Sequence, residues 1–97
     1  MSVTDTRPGS PAFAADRAYR LNPQVALRDE SFGALAYHYG NRRLVFLKSR
    51  TLVALVSSLH AYPSAADAIS ALVPDSQVVS YERALARLAA SEVIDVA

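Results

Sequence analysis

No cysteine occurs anywhere in the 97 residues, so the chain holds no disulfide, thiolate nucleophile, paired-cysteine redox centre or thiolate-ligated metal cluster. Long apolar runs are missing as well: none approaches the roughly eighteen residues that a membrane-crossing helix needs. The opening stretch MSVTDTRPGSPAFAADRAY lacks a lysine-led segment followed by an unbroken apolar core, so no secretory signal is read there and a cytoplasmic protein is expected. Histidine is limited to His38 and His60, neither with an acidic partner at a ligand spacing. No metal site and no cofactor are expected, because metals need three or four ligands. A serine, histidine and acid set can be written down from Ser49, His38 and Asp29, but no nucleophile elbow or oxyanion loop accompanies it, and no catalytic residue is assigned.

What is present reads as one globular domain. Half of the chain, 52%, is hydrophobic and 20% is charged, with a net charge of +1; such a balance supports one modest core and argues against disorder. The total conceals an asymmetry. Residues 1–50 carry eight Lys/Arg against four Asp/Glu, whereas residues 51–97 carry two against five. Within residues 42–50 stand Arg42, Arg43, Lys48 and Arg50 with no acid at all.

Residues 1–17 gather Ser, Thr, Asp, Gly and two prolines and are expected to form a flexible arm, with residues 18–97 as the folded domain. Strand-like alternation begins at Tyr19 and continues to about Leu27; Pro23 cannot donate to a ladder, so this first strand should be bent and lie at an edge. Two further runs, residues 33–39 and 42–47, flank Gly40 and Asn41. Glycine as the first central residue suits a two-residue type II′ hairpin, where φ is positive. Sequential pairing would leave the third of these strands as a sheet edge. Its Leu44, Val45, Phe46 and Leu47 are apolar on both faces, whereas a half-solvated strand alternates. A cover for both sides is therefore expected, and Phe13 of the arm is one candidate.

Ser49 suits the N-cap of a first helix to about residue 59, and Ser64 that of a second to residue 72 with Ala68, Ile69 and Leu72 inward. A third helix should run to Ala90 with Val78, Tyr81, Leu85 and Leu88 as its buried stripe. Residues 93–96 form either a short strand or a packed tail. The fold class is thus α+β: a three-stranded antiparallel β-meander followed by three α-helices.

Three stretches have the form of a family. Leu21-x-Pro23-Gln24-Val25-Ala26-Leu27-Arg28, then Phe32-Gly33-Ala34-Leu35-x-Tyr37-His38, then Arg42-Arg43-Leu44-x-Phe46-Leu47-Lys48-Ser49 closely resemble the mycofactocin biosynthesis peptide chaperone family. That family is related to the small chaperone of pyrroloquinoline quinone biosynthesis, and both look like RiPP recognition elements. The resemblance implies a winged-helix-like, non-catalytic adaptor. It would bind a ribosomally made precursor peptide and deliver it to a radical S-adenosylmethionine maturase, which holds the iron–sulfur chemistry. In related elements the peptide adds as a strand beside the third strand, in a cleft against the third helix. Carried onto this chain, the peptide-binding candidates are Arg42, Arg43, Leu44, Val45, Phe46, Leu47 and Lys48 on the strand and Ala84 and Arg87 on the helix. Backbone pairing would give affinity and side-chain pockets selectivity, while the basic residues would steer an acidic peptide. A proline at Val45 is the substitution this reading suggests for breaking the edge.

A winged-helix DNA-binding regulator is the competing class, since a basic hairpin can serve as a wing. The third helix offers Arg83 and Arg87 but also Glu82, and Glu92 follows it, whereas duplex reading needs a continuous basic footprint. No nucleic acid and no membrane partner is expected. A monomer is expected, with edge-to-edge homodimerisation as a rival use of the same strand.

Overall fold

Leu27, Ala34, Ala36 and Leu47 fall at every second position of their strands, so one face of the sheet can bury them against amphipathic helices that supply a complementary stripe. The computed structural model describes residues 12–97. Strands β1 (Tyr19–Leu21), β2 (Val25–Glu30), β3 (Gly33–His38) and β4 (Leu44–Leu47) precede helices α1 (Arg50–Ser58), α2 (Ala65–Leu72) and α3 (Val78–Ala90), and β5 (Ile94–Val96) closes the chain. Strands β2, β3 and β4 form an antiparallel sheet in that order. The α+β meander with three helices is as expected. The expected first strand, however, is two. Asn22 and Pro23 break it, β2 stays in the meander, and β1 pairs antiparallel with β5 in a separate ribbon, Tyr19 facing Val96 and Leu21 facing Ile94. The tail is therefore a strand, which ties the C-terminus back to the start of the domain.

Both serine caps form. Ser49 Oγ accepts from Leu52 N–H at 3.0 Å and Ser64 Oγ from Asp67 N–H at 3.1 Å, each satisfying an otherwise orphaned donor and stabilising its helix by about 1 kcal/mol. Helix α3 ends in a Schellman turn, in which Glu92 N–H donates to Ala89 C=O and Val93 N–H to Leu88 C=O, with Glu92 left-handed at φ 65°. The core is built from Leu47, Leu52, Leu55, Val56, Leu59, Ala65, Ala68, Ile69, Leu85, Leu88, Val93 and Ile94, together with Ala34 and Ala36, whose small side chains let the helices approach the sheet. Leu72 does not join it; the side chain lies exposed and the neighbouring Val73 is buried instead.

Part of the expected arm is held in place. Phe13 stacks on Tyr19 with ring centroids 5.0 Å apart, Ala14 N–H donates to the Tyr19 hydroxyl, and the carbonyls of Ala15 and Arg17 accept from Ala66 and Ala65 at the start of α2. Phe13 is thus spent on Tyr19 and does not cover β4. The remaining arm, residues 1–11, lies outside the described residues.

Candidate peptide interface

The turn before β4 sets the interface, and it is not the two-residue hairpin expected. Gly40 does not take a positive φ; the left-handed residue is Arg42, at φ 65°. His38 N–H donates to Arg43 C=O and Arg42 N–H to His38 C=O, which makes a four-residue loop of residues 39–42. The physical reason lies in two side chains. His38 Nδ1 accepts from both Gly40 N–H (2.9 Å) and Asn41 N–H (3.1 Å), and Asn41 Oδ1 accepts from Arg43 N–H (2.9 Å); these bonds organise the wider loop. Glycine is needed at 40 for space, since a Cβ there would sit 2.8 Å from His38 Cε1. The strand accordingly begins at Leu44; Arg42 lies in the loop, and Arg43 closes it opposite His38.

His38 is 3% exposed, and accepting two N–H groups at Nδ1 places its own hydrogen on Nε2. Replacing His38 by Ala is expected to cost about 2–4 kcal/mol, from the cavity left by a buried ring and the loss of the two bonds that organise the loop. Urea unfolding monitored by circular dichroism checks this; a loss under 1 kcal/mol would contradict it.

The register fixes which backbone groups of β4 are free. Ala36 faces Val45 and Ala34 faces Leu47, and with His38 bonded to Arg43 these are the hydrogen-bonded pairs, because the pattern alternates in an antiparallel ladder. The N–H and C=O groups of Val45 and Leu47 therefore turn toward β3, and those of Leu44 and Phe46 turn outward. No strand pairs with this outward edge among the described residues. Side chains alternate as well: Leu47 is buried and Val45 half-buried on the helix side, whereas Leu44 and Phe46 remain 55% and 54% exposed on the other face. The helices cover one side of the strand only. Arg42, Arg43, Lys48 and Arg50 are exposed around it, and no ion pair among the described residues involves them.

Side-chain hydrogen bonds tie the two ends of helix α3 to the segments that flank β4, in antiparallel order. The Ser49 and Tyr81 hydroxyls are hydrogen-bonded at 2.9 Å just beyond the C-terminal end of β4, and Asn41 Nδ2 reaches Ser91 C=O (3.4 Å) and Glu92 Oε1 (3.5 Å) before its N-terminal end. Tyr81, Ala84, Leu88 and Ser91 fall at i, i+3, i+7 and i+10, one stripe of a 3.6-residue helix. Ala84, half-buried, lies on the stripe between the two fastenings, and Arg87 is exposed one step round the helix from it. Tyr81, expected as core, is half-buried with its hydroxyl joining helix to strand. Neither fastening had a sequence signal, since the partners are 32 and 50 residues apart. Among the described residues no group of acids and histidines is placed to hold a metal, and no helix is long and apolar enough to cross a membrane.

Comparison with known proteins places the chain in a family. The model of the Peptide chaperone MftB family matches residues 18–95. The chain belongs to that family. It is 48% identical over 87 residues to the peptide chaperone MftB of Mycobacterium ulcerans (strain Agy99), covering 89% of this chain and 80% of the relative. To the peptide chaperone MftB of Mycobacterium tuberculosis (strain ATCC 25618 / H37Rv) it is 47% identical over 89 residues, covering 91% and 82%. No solved structure matches the chain. Membership of the MftB family gives the protein a chaperone role in mycofactocin biosynthesis rather than a catalytic one. The matched region takes in the whole β2–β4 meander, both fastenings and α3.

Proposed function

We propose that this MftB-family chaperone binds the mycofactocin precursor peptide as a fourth strand along β4 and delivers it to the radical S-adenosylmethionine maturase. The observation that carries the reading is the unpaired edge of β4, whose Leu44 and Phe46 backbone groups face the side along which an added strand would lie. An edge left open invites a partner strand. Four residues of β4 rise about 13 Å, enough to pair with a peptide segment of similar length. Alternate peptide side chains would then enter the cleft toward Ala84 and Arg87 or lie beside Leu44 and Phe46. The chaperone has no covalent step; it raises the local concentration of substrate at the maturase.

Residue-resolved amide exchange during titration with the precursor peptide tests the reading. Protection is expected at Leu44 and Phe46 and along the Tyr81–Ala84–Leu88 stripe. Protection elsewhere, or only upon adding duplex DNA, would overturn it. The basic loop gives a kinetic prediction. Arg42→Glu with Arg43→Glu is expected to slow association with an acidic precursor by about tenfold at low ionic strength, and by much less at 0.5 M salt, because the attraction is screened over a Debye length of roughly 10 Å or less. Stopped-flow rates at two salt concentrations check it, and equal rates would remove the steering role.

A further inference from the structure

Among the described residues no helix covers one face of the main sheet. Ala26, Tyr37 and Leu44 lie side by side in one row across the three strands, and Arg28, Leu35 and Phe46 in the next. Aromatic rings extend this surface past both rows. Phe32 lies 5.7 Å from Phe46, and Tyr39 packs edge-on against Tyr37 at 5.0 Å. Because Ala26 is small among large neighbours, the face is not flat: a hollow of about 360 Å³ opens between Ala26, Leu27, Arg28, Leu35, Tyr37 and Leu44. A contiguous exposed apolar face with a depression at its centre is what an interface anchor residue enters.

We propose that this outer face is where the peptide-modifying enzyme docks, inserting a large apolar side chain into the hollow over Ala26 and setting acidic groups against the rim. The assignment rests on the delivery reading above. The rim selects the occupant. Arg28 stands in the second row and Lys48 follows Leu44 and Phe46 at the parity of the outer side, with Arg42 exposed in the adjoining loop and Glu30 bonded to Arg28 at 2.9 Å, so the complementary surface is an apolar anchor flanked by Asp and Glu. A second copy brings the same basic rim against itself. Residues 1–11, MSVTDTRPGSP, offer a single acid and do not complement the rim. A peptide strand added at β4 would widen this same face by one strand. The enzyme would then contact chaperone and substrate together, and the loaded chaperone should bind it more tightly than the empty one.

The test measures two affinities in each protein, that for the labelled precursor peptide and that for the radical S-adenosylmethionine maturase of the pathway. Ala26→Glu fills the hollow with a like charge for an acidic partner, and Arg28→Glu reverses the rim at an exposed position where folding is not at stake. Both residues are on β2, at the opposite side of the sheet from the β4 edge. Each variant is expected to keep peptide affinity within twofold and to weaken maturase binding at least tenfold. Maturase binding within twofold of the unaltered protein in both variants would overturn the docking face and leave the chaperone reading intact. Equal loss of peptide and maturase in folded Arg28→Glu would overturn it by making this face part of the peptide site. A dimer seen by sedimentation that Ala26→Glu dissolves would overturn it in favour of a second copy. An unaltered protein that binds maturase but no peptide would sink the delivery reading, while the two variants still decide the face.

Discussion

Proline at position 46 is expected to weaken precursor binding by a hundredfold or more while the protein stays folded. Phe46 N–H turns away from β3, as the pairing of Leu35 with Phe46 between two hydrogen-bonded pairs requires. Removing that donor costs no bond inside the domain, and proline is tolerated on an edge strand with its ring facing out. What is lost is one bond to the incoming strand and the space for it, because the ring carbon replaces the hydrogen at the contact. A hundredfold loss corresponds to about 2.7 kcal/mol, within what one unmade backbone bond plus steric exclusion supplies. Phe46→Ala separates the backbone from the side chain. It keeps the N–H and should retain more of the affinity than Phe46→Pro. Titration by anisotropy with thermal melts of both variants makes the comparison. Equal affinities for Phe46→Pro and the unaltered protein, both folded, would sink strand addition.

The same geometry shows where sequence reading stopped. Val45 and Phe46 are indistinguishable as positions in an apolar run of four, and Val45 stands at the centre of the expected edge. Which of them bonds inward is a matter of parity, and parity depends on the length of the preceding loop. A two-residue turn at Gly40 and Asn41 and the four-residue loop of residues 39–42 cannot be told apart from glycine alone. The decision is made by His38, whose Nδ1 gathers two loop donors. Proline at Val45 would consequently break the ladder to Ala36 and report on folding instead of binding.

Other features were legible because their causes are local. Ser49 and Ser64 cap helices by contacts three residues away, and the break at Pro23 follows from a missing donor and a fixed φ. The stripe of α3 follows from spacing. Pairing of β1 with β5 joins residues some 75 apart, and the bonds tying α3 to the flanks of β4 join residues 32 and 50 apart. No periodicity encodes them. The outer face lay between these cases: Leu35, Tyr37 and Tyr39 visibly share a side of β3, but the hollow beside them exists because Ala26 is brought opposite Tyr37.

Alanine at Gly33 is expected to destabilise the protein by about 3 kcal/mol or more, an effect on folding in contrast to the one at Phe46. Gly33 has φ +149°, a region that residues with a Cβ rarely enter. Space compounds the conformational cost. A Cβ at this position would run into the Leu47 carbonyl oxygen and lie 2.9 Å from Ser49 N. Both obstacles are backbone, so no side-chain rotation relieves the clash. Relief would require the end of β4 to move, and with it Ser49, which caps α1 and bonds to Tyr81 on α3. One methyl group therefore loads the junction where strand, first helix and third helix meet, a combination of strain and lost capping that belongs to the large-effect class of substitutions. Chemical denaturation should show the midpoint falling with the slope unchanged. A loss below 1 kcal/mol would mean that the junction yields cheaply, and the β4–α3 cleft would then be a pliable groove rather than one held at a fixed width before peptide arrives.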